Sequence, residues 1–341
     1  MGSTEQPIVL GFPFGPRDSA VRLLCDPAVP GDRTLAPTLD GEWRISLPPP
    51  PVDRFEYHFE VTRGHRLLTV LDPTNATVID TPAGHRSVWR APGYRPPAWM
   101  LVDVAPGRYE PMSVATVPTA GSVGVTVWSP AGLGAGESAG LLLVLDGPDY
   151  DRYASLTRLC AHLVAEGRVP PVRVALLTAT GREDSYAGSH EFLRRLTGPV
   201  LQRLDARYPR SGPVAVLGAS LGGLTAVLAA LTDPRIRGVV AQSGSFFHPS
   251  TDPPERRFRH FDRIAAHVEA IGAMPRTRVP LVVGMTCGEH EENAANNRRM
   301  AAALQRAGHR VVHHEVPDLH TFTGWRDALE PVLTDVLSAT W

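Results

Sequence analysis

One segment, PVAVLGASLGGLTAVLAAL at residues 213–231, most constrains the fold of this chain. Its first half is a short apolar run, typical of a buried strand, and its second half has the length and composition of an apolar helix. Only a sharp turn of small residues around Ser220 separates the two halves. Such a direct passage from strand into helix is typical of sheets that carry helices on both faces.

The same alternation of apolar strand and helix extends from residue 141 towards the C-terminus. Continuous apolar runs are typical of strands buried on both faces of a parallel sheet. These runs are LLLVLDG, VRVALLT, PVAVLG, GVVAQSG, VPLVVGM and RVVHHEV. Helical segments lie between them, and one over residues 189–207 has an expected break at Gly198-Pro199. The sequence therefore predicts an α/β fold with a mostly parallel sheet that is covered on both faces.

The first third of the chain has the pattern of antiparallel β structure. The segments FEYHFEVTRG and HRLLTVLDP alternate apolar and polar residues on either side of Arg63-Gly64, which predicts a hairpin. Proline and glycine recur over residues 72–121 without helical periodicity. We therefore expect a small β-sandwich over residues 1–120 and the α/β domain over residues 121–341, with the strand at 124–130 already in the second domain.

Composition argues against several classes of function. All 34 basic residues are arginine, so no lysine can act as a Schiff-base nucleophile, and the net charge of −1 argues against a nucleic-acid partner held by bulk charge. The 3 cysteines are widely spaced, which favours reduced thiols in a cytoplasmic protein over a zinc ribbon. No apolar run is long enough to span a membrane. We expect no membrane partner, no metal and no cofactor.

The turn at residues 218–222 carries the clearest chemical signal. Its sequence is G-x-S-x-G, and its place between a strand and a helix is typical of a nucleophile elbow, in which small residues permit the sharp turn. Ser220 is then presented at a helix N-terminus, where the N–H of Leu221 can stabilise an oxyanion. The pattern predicts a serine nucleophile, and the alternative is a glycine-rich turn without chemistry.

A serine nucleophile needs a base, which follows the acid in the chain order of hydrolases with this elbow. His320 lies just after the last predicted strand and is the favoured base. His313 and His314 are adjacent in that strand and therefore face opposite ways, so both cannot reach one site. His290 and His309 flank a helix and are expected to be exposed.

The acid is expected in the loop TCGEHEENAANNRRM, after the strand VPLVVGM. Glu289, Glu291 and Glu292 are the candidates, because a carboxylate in this loop could orient the imidazole of the base. Each of them is also compatible with an exposed charge at the start of a helix. Spacing alone does not choose among the three.

Several segments together resemble one known family. LLLVLDGPDY, VLGASLGGLTA, VAQSGSFF, the GEHEEN segment with NNRRMAAALQRAGH, and H-x4-WR-x-AL occur in the order found in enterochelin (ferric enterobactin) esterases, within the esterase D-like α/β-hydrolases. The resemblance covers residues 120–341 and extends in type to that family's N-terminal β-sandwich. It implies that Ser220 is the nucleophile and His320 the base. The match to the family's G-x-x-E element favours Glu291 as the acid.

The resemblance also implies residues around the substrate. Asp146-Gly147 is similar to the family's loop that borders the oxyanion site. Because Pro148 has no N–H, the second oxyanion donor is Gly147 or Asp149. Arg182 is either a contact for an anionic or catechol-bearing substrate or a solvated loop residue. The candidate substrate-binding residues are Asp146, Arg182 and Trp325.

These expectations combine into one main hypothesis. The chain is a serine esterase that hydrolyses, through an acyl-enzyme, the ester bonds of a siderophore trilactone or of a related macrolactone or depsipeptide. Any iron arrives on this small-molecule substrate and is not a cofactor. The alternatives are an acyltransferase or general carboxylesterase of the same group acting on another ester, and a non-catalytic binding protein with a hydrolase fold. The sequence does not indicate the oligomeric state.

Overall fold

A computed structural model describes residues 6–112, 114 and 123–341 of the chain. The chain forms two compact units, one comprising Met1–Arg95 with Pro317–Leu319 and the other Pro96–Val316 with His320–Trp341. The boundary expected between residues 120 and 121 lies outside the described residues and stays a prediction. Among the described residues, no helix is both long enough and apolar enough to cross a membrane.

The first unit packs two antiparallel sheets around one apolar core. In spatial order, the smaller sheet contains β1 (Ile8–Pro13), β4 (Glu42–Leu47) and β3 (Ala36–Pro37). The larger contains β2 (Asp18–Cys25), β5 (Arg54–Arg63), β8 (Gly84–Arg90) and β7 (Val78–Thr81), with β6 (Arg66–Val70) also paired to β5. Alternate residues of β5, such as Phe55, Tyr57 and Phe59, are buried in the core. This unit is the expected β-sandwich, and β5 and β6 form the predicted hairpin.

The second unit is built on an eight-stranded mixed sheet. In spatial order its strands are β16 (Arg310–Val316), β15 (Val282–Gly288), β14 (Ile236–Gln242), β13 (Arg210–Ala219), β11 (Ala139–Leu145), β12 (Val172–Ala179), β10 (Val123–Ser129) and β9 (Arg108–Met112). The strands β11 to β16 are mutually parallel, whereas β10 is antiparallel to both β12 and β9. The sheet is therefore mostly parallel, as predicted, and it includes β9 from the proline-rich stretch.

Helices cover both faces of this sheet. They are α1 (Gly147–Ala154), α2 (Leu156–Ala165), α3 (Arg182–Tyr186), α4 (His190–Arg195), α5 (Leu201–Arg207), α6 (Leu221–Thr232), α7 (Phe261–Gly272), α8 (Ala294–Arg306) and α9 (Phe322–Thr340). Alternate residues of β11 enter opposite cores: Leu143 packs with α4 to α8, and Leu142 packs with α1, α2 and α9. Burial on both faces explains why the central strands are continuously apolar.

The expected break at Gly198-Pro199 takes the form of a π-helical turn. Residues Leu196–Val200 form this turn, which contains Pro199 and joins α4 directly to α5. The wider turn accommodates a residue that has no N–H to donate and whose ring would clash within an α-helix. The α-helix is therefore interrupted at the predicted place, while the chain stays helical.

The segment Pro317–Leu319 belongs to the first unit, although it follows β16 of the second. The Asp318 carboxylate forms a buried ion pair with Arg54 at 2.8 Å, and Leu319 lies in the apolar core of the sandwich. The N–H of Asp53 donates to the carbonyl of Pro317 at 2.9 Å. Three consecutive residues are thus held by an ion pair, a backbone hydrogen bond and apolar burial.

We expect Asp318→Ala to lower the free energy of unfolding of the first unit by about 3–5 kcal/mol, because it leaves the guanidinium of Arg54 buried without this carboxylate. Urea denaturation followed by tryptophan fluorescence measures the change. The matched control is Asp40→Ala, which breaks the exposed 3.0 Å pair of Asp40 with Arg44 and should leave the midpoint almost unchanged. Equal effects of the two substitutions would contradict the stabilising role of the buried Asp318–Arg54 pair.

Candidate active site

Ser220 lies in a strained turn between β13 and α6. Its backbone has φ 56° and ψ −125°, a positive φ that is uncommon for any residue except glycine. The N–H of Ser220 donates to the carbonyl of Gln242 at 2.9 Å, and its own carbonyl accepts from Gly223 N–H at 3.0 Å. Neighbouring backbone therefore holds the serine in the conformation that the predicted nucleophile elbow requires.

The glycines around the serine have unequal steric roles. A Cβ on Gly218 would lie 2.5 Å from the carbonyl carbon of Gly222, and a Cβ on Gly223 would lie 3.0 Å from Cα of Gly244. A Cβ on Gly222 would meet nothing closer than Cβ of Leu145, at 3.5 Å, an ordinary van der Waals distance. The close approach of α6 to β13 and to the turn after β14 therefore demands Gly218 and Gly223 more than Gly222.

Four neighbouring strands deliver the other polar residues to the same edge of the sheet. Ser220 follows β13, Ser243 follows β14, Glu291 follows β15, and His320 comes after β16. These strands are parallel and adjacent in the sheet, so their carboxyl ends meet at one edge. Ligands and catalytic groups in open α/β sheets collect at this edge.

His320 and Glu291 form a direct hydrogen bond. His320 Nδ1 lies 2.8 Å from Glu291 Oε2, and the Glu291 side chain is 2% exposed. Glu292 Oε1 is farther from His320 Nδ1, at 3.8 Å, and its side chain is 58% exposed. Glu289 is also exposed. Among the three glutamates left open by sequence spacing, Glu291 is the one that is buried against the histidine.

The Glu291 carboxylate accepts from two further donors. Its Oε1 accepts from the Ser243 hydroxyl and from the Gly288 N–H, each at 2.8 Å. An ionised carboxylate only accepts hydrogen bonds, so the Nδ1 of His320 is the donor towards Oε2. The other ring nitrogen, Nε2, is then unprotonated in the neutral imidazole and can take a proton.

Ser245 lies beside the candidate nucleophile. Its hydroxyl is 3.2 Å from Ser220 Oγ, and its N–H donates to the Ser220 carbonyl at 3.0 Å. The turn Ser243-Gly244-Ser245 therefore contacts both Ser220 and Glu291. Sequence reasoning missed Ser243, although its place directly after a buried strand next to the nucleophile strand was a usable signal.

The Asp146–Asp149 loop forms the start of α1. Asp146 adopts a left-handed conformation with φ 53°, and a Cβ on Gly147 would lie 2.3 Å from Leu176 Cα. The N–H of Asp149 donates to the Asp146 carbonyl at 3.1 Å. Burial, and then the neighbouring charge of Asp146, raise the pKa of the Asp149 carboxyl. The short distance to Leu176 makes glycine at position 147 a steric requirement of this loop.

Arg182 and Trp325 have partners within the protein. Arg182 pairs with Asp146 Oδ2 through Nε at 2.8 Å and Nη2 at 2.7 Å, and its side chain is 41% exposed. Trp325 is buried in the first turn of α9, its Nε1–H donates to Ser243 Oγ at 2.9 Å, and its ring meets the edge of the His320 ring at 5.1 Å. The structure thus places Trp325 against the candidate base and acid.

The remaining histidines lie in other environments. His313 is half-buried and His314 is exposed, as expected for adjacent residues of an edge strand. His290 is exposed, but the expectation that His309 is exposed is wrong. The ring of His309 accepts from Leu281 N–H through Nδ1, and burial lowers its pKa. It satisfies a backbone donor next to β15.

The sequence matches the family model described as "Putative esterase" over residues 118–336. The chain belongs to this esterase family. It is accordingly a carboxylic ester hydrolase, as the G-x-S-x-G turn and the family resemblance predict. No curated protein matches the chain in sequence.

Solved structures extend the comparison of this esterase to its whole fold. The enterobactin esterase of Shigella flexneri in the presence of enterobactin is 18% identical, with a TM-score of 0.76 over 98% of this chain and 94% of that one. The ferric enterobactin esterase of Salmonella typhimurium is 19% identical, with a TM-score of 0.74 over 96% of this chain and 92% of that one. A feruloyl esterase module from Clostridium thermocellum complexed with sinapinate is 14% identical, with a TM-score of 0.52 over 72% of this chain and 93% of that one. At such identities the likeness concerns the fold, and it confirms the α/β-hydrolase unit preceded by a small β domain.

The two motif glycines should respond differently to substitution in this esterase. We expect Gly218→Ala to lower the free energy of unfolding by about 1–3 kcal/mol, because its Cβ would have to displace the Gly222 backbone. Gly222→Ala should lower the free energy of unfolding much less, because its Cβ fits at normal contact distances. Thermal unfolding of both variants measures the difference, and equal losses would show that the motif acts through conformation and not through this close approach.

Proposed function

We propose that this esterase cleaves its substrate with Ser220 as nucleophile, His320 as general base and Glu291 as the acid that orients the base. The observation that carries the proposal is the 2.8 Å hydrogen bond between His320 Nδ1 and the buried Glu291 carboxylate. It stands at the same sheet edge as the strained turn that presents Ser220. A nucleophile, a base and a group that orients the base are the parts that covalent ester hydrolysis needs.

The reaction would proceed in two halves. Ser220 Oγ attacks the ester carbonyl while His320 Nε2 takes its proton, and the protonated imidazole then gives that proton to the departing alcohol. Water next loses a proton to His320 and attacks the acyl-enzyme, and the proton returns to Ser220 as the acid product leaves. Glu291 stabilises the imidazolium in both halves through its bond to Nδ1.

Two backbone N–H groups are proposed to bind the oxyanion. As the first residues of α6 and α1, Leu221 and Gly147 each have an N–H without an acceptor inside their own helix. The N–H of Asp149 already donates to the Asp146 carbonyl, so Gly147 is the better second donor. The Arg182–Asp146 pair would hold this loop in position.

For the substrate we propose the cyclic ester of an enterobactin-type siderophore. The solved enterobactin esterases cover 92% and 94% of their own length and 96% and 98% of this chain, so the correspondence includes its small β unit. The feruloyl esterase module covers only 72% of this chain. Asp146, Arg182 and the exposed Glu292 would border the bound ester.

Charge near His320 favours the iron-free ester over the ferric complex. The exposed Glu292 carboxylate lies 3.8 Å from the His320 ring, and Arg182 is already paired with Asp146. The carboxyl of Glu255 also lies close to Glu292, since burial, and then the charge of Glu292, raise the pKa of Glu255. A ferric tris-catecholate is strongly anionic and would be repelled by these carboxylates, whereas the iron-free trilactone carries its catechols protonated.

The proposed catalytic roles predict a graded loss of turnover. Ser220→Ala should lower kcat by more than about 10⁴-fold and Glu291→Gln by about 10³–10⁴-fold, while each variant keeps the fold. The matched control is Glu289→Gln, which removes an exposed carboxylate of the same loop and should change kcat little. Hydrolysis of a p-nitrophenyl ester measures all three variants. Activity retained in Ser220→Ala, or lost equally in the two glutamate variants, would refute these roles.

The proposed substrate predicts a rank order of specificity. We expect kcat/KM for the iron-free trilactone to exceed that for p-nitrophenyl acetate by about 100-fold, a difference of about 2.7 kcal/mol in transition-state binding. The ferric trilactone should be cleaved more slowly, and Glu292→Gln should narrow the gap between the two forms. Product analysis by mass spectrometry provides the rates. A preference for feruloyl esters over both trilactones would overturn the substrate assignment and leave the esterase chemistry intact.

A further inference from the structure

Ser243 is completely buried next to the acid–base pair. It follows β14, has φ 45° and is 0% exposed, so its hydroxyl has no route to a substrate. Its Oγ lies 2.8 Å from Glu291 Oε1 and 2.9 Å from Trp325 Nε1. A buried hydroxyl in an uncommon backbone conformation between these two side chains calls for an explanation beyond packing.

The chemistry of the three groups fixes the direction of both hydrogen bonds. An indole Nε1–H can only donate, so Ser243 Oγ accepts from Trp325. The single hydroxyl proton of Ser243 is then directed to the Glu291 carboxylate, which can only accept while it is ionised. The indole N–H thereby occupies an acceptor position of the hydroxyl and leaves its proton to be donated to the acid.

We propose that Ser243 and Trp325 are positioning residues for the catalytic pair, with Trp325 orienting the Ser243 hydroxyl and Ser243 holding the Glu291 carboxylate in line with His320. This inference rests on the proposed function, because it acts through Glu291. Trp325 contributes a second time, since its ring stands at 77° to the His320 ring with 5.1 Å between centroids. One side chain therefore contacts the base directly and reaches the acid through Ser243.

Other buried groups hold the backbone of both Ser243 and Trp325 in place. The Ser243 carbonyl accepts from Asn293 Nδ2 at 3.0 Å, and Asn297 makes two hydrogen bonds to the backbone of Gly244, at 2.9 and 3.1 Å. The Trp325 carbonyl accepts from Gln242 Nε2 at 3.0 Å. Because the donors and acceptors are fixed from the sheet and from α8, Ser243 and Trp325 cannot drift away from Glu291 without breaking buried hydrogen bonds.

The arrangement also gives Trp325 a role other than the substrate contact expected from its motif. Trp325 is 8% exposed, and its indole N–H donates to Ser243. A residue that binds substrate should change KM when it is altered, whereas a residue that positions the acid should change kcat. The two roles are therefore separable by steady-state kinetics.

The test is a double-mutant cycle on kcat with a p-nitrophenyl ester. We expect Ser243→Ala to lower kcat by about 10–100-fold, because it removes a hydrogen bond to the Glu291 carboxylate. Trp325→Phe should lower kcat by about 5–20-fold, because it removes the hydrogen bond that orients the Ser243 hydroxyl. KM should be nearly unchanged in both variants. In a Glu291→Gln background the same substitutions should change kcat by less than about threefold, because their effect passes through the carboxylate.

Two control variants separate positioning from loss of a buried polar group. Ser87→Ala removes an equally buried hydroxyl, which accepts from Asp72 N–H at 2.9 Å in the β-sandwich. Trp99→Phe removes a buried indole N–H that has no hydrogen-bond partner among the described residues. Both should leave kcat unchanged, and thermal unfolding of every variant reports any loss of structure.

The outcomes distinguish this inference from the function on which it rests. Equal losses for Ser243→Ala in the wild-type and Glu291→Gln backgrounds, or a wild-type kcat in Ser243→Ala, would overturn the positioning role alone. A rise in KM without a fall in kcat for Trp325→Phe would return Trp325 to the substrate site. A wild-type kcat for Glu291→Gln itself would overturn the proposed acid, and the positioning role with it. If Ser243→Ala fails to fold, Trp325→Phe carries the same cycle.

Discussion

The candidate site depends on one buried carboxylate whose orientation is fixed by its hydrogen-bond partners. A buried polar group without such partners is costly. The Ser243 hydroxyl, the Gly288 N–H and the His320 ring converge on the two carboxylate oxygens of Glu291. Each of these groups comes from a different strand end, so the parallel sheet itself brings Glu291 and His320 together.

Local sequence was sufficient to predict the sharp turn at Ser220, because every requirement of such a turn is local. A strand, a turn of small residues and a helix within twenty residues determine where the serine lies, whatever surrounds them. The position of His320 at the same sheet edge was predictable from chain order, since the loop after the last strand reaches that edge. The glutamate that contacts His320 was not predictable from spacing alone, because Glu289, Glu291 and Glu292 share one loop and only the three-dimensional turn buries one of them.

Other features escaped sequence reasoning because they depend on distant partners. The hydrogen-bond partners of the Ser243 hydroxyl are Glu291 and Trp325, which are far from it in sequence and come close to it only in the folded sheet. His309 follows a helix end that would ordinarily be exposed, yet it is buried and its ring accepts a hydrogen bond from Leu281 N–H. The pattern of apolar residues predicted both units correctly in type, because alternation in strands and burial on both faces are properties of single elements.

The fold limits which reaction is possible more tightly than it limits which substrate is bound. Enterobactin and feruloyl esterases share the α/β-hydrolase unit with this chain at 14–19% identity, so the sheet edge can serve esters of very different size and charge. The charges at this edge of the sheet include the exposed Glu292, 3.8 Å from the His320 ring, and the ion pair of Arg182 with Asp146 at the start of α1. Under the proposed function, Coulomb repulsion by carboxylates at close range makes the charge of a substrate, more than its carbon skeleton, the property that decides whether it can approach Ser220.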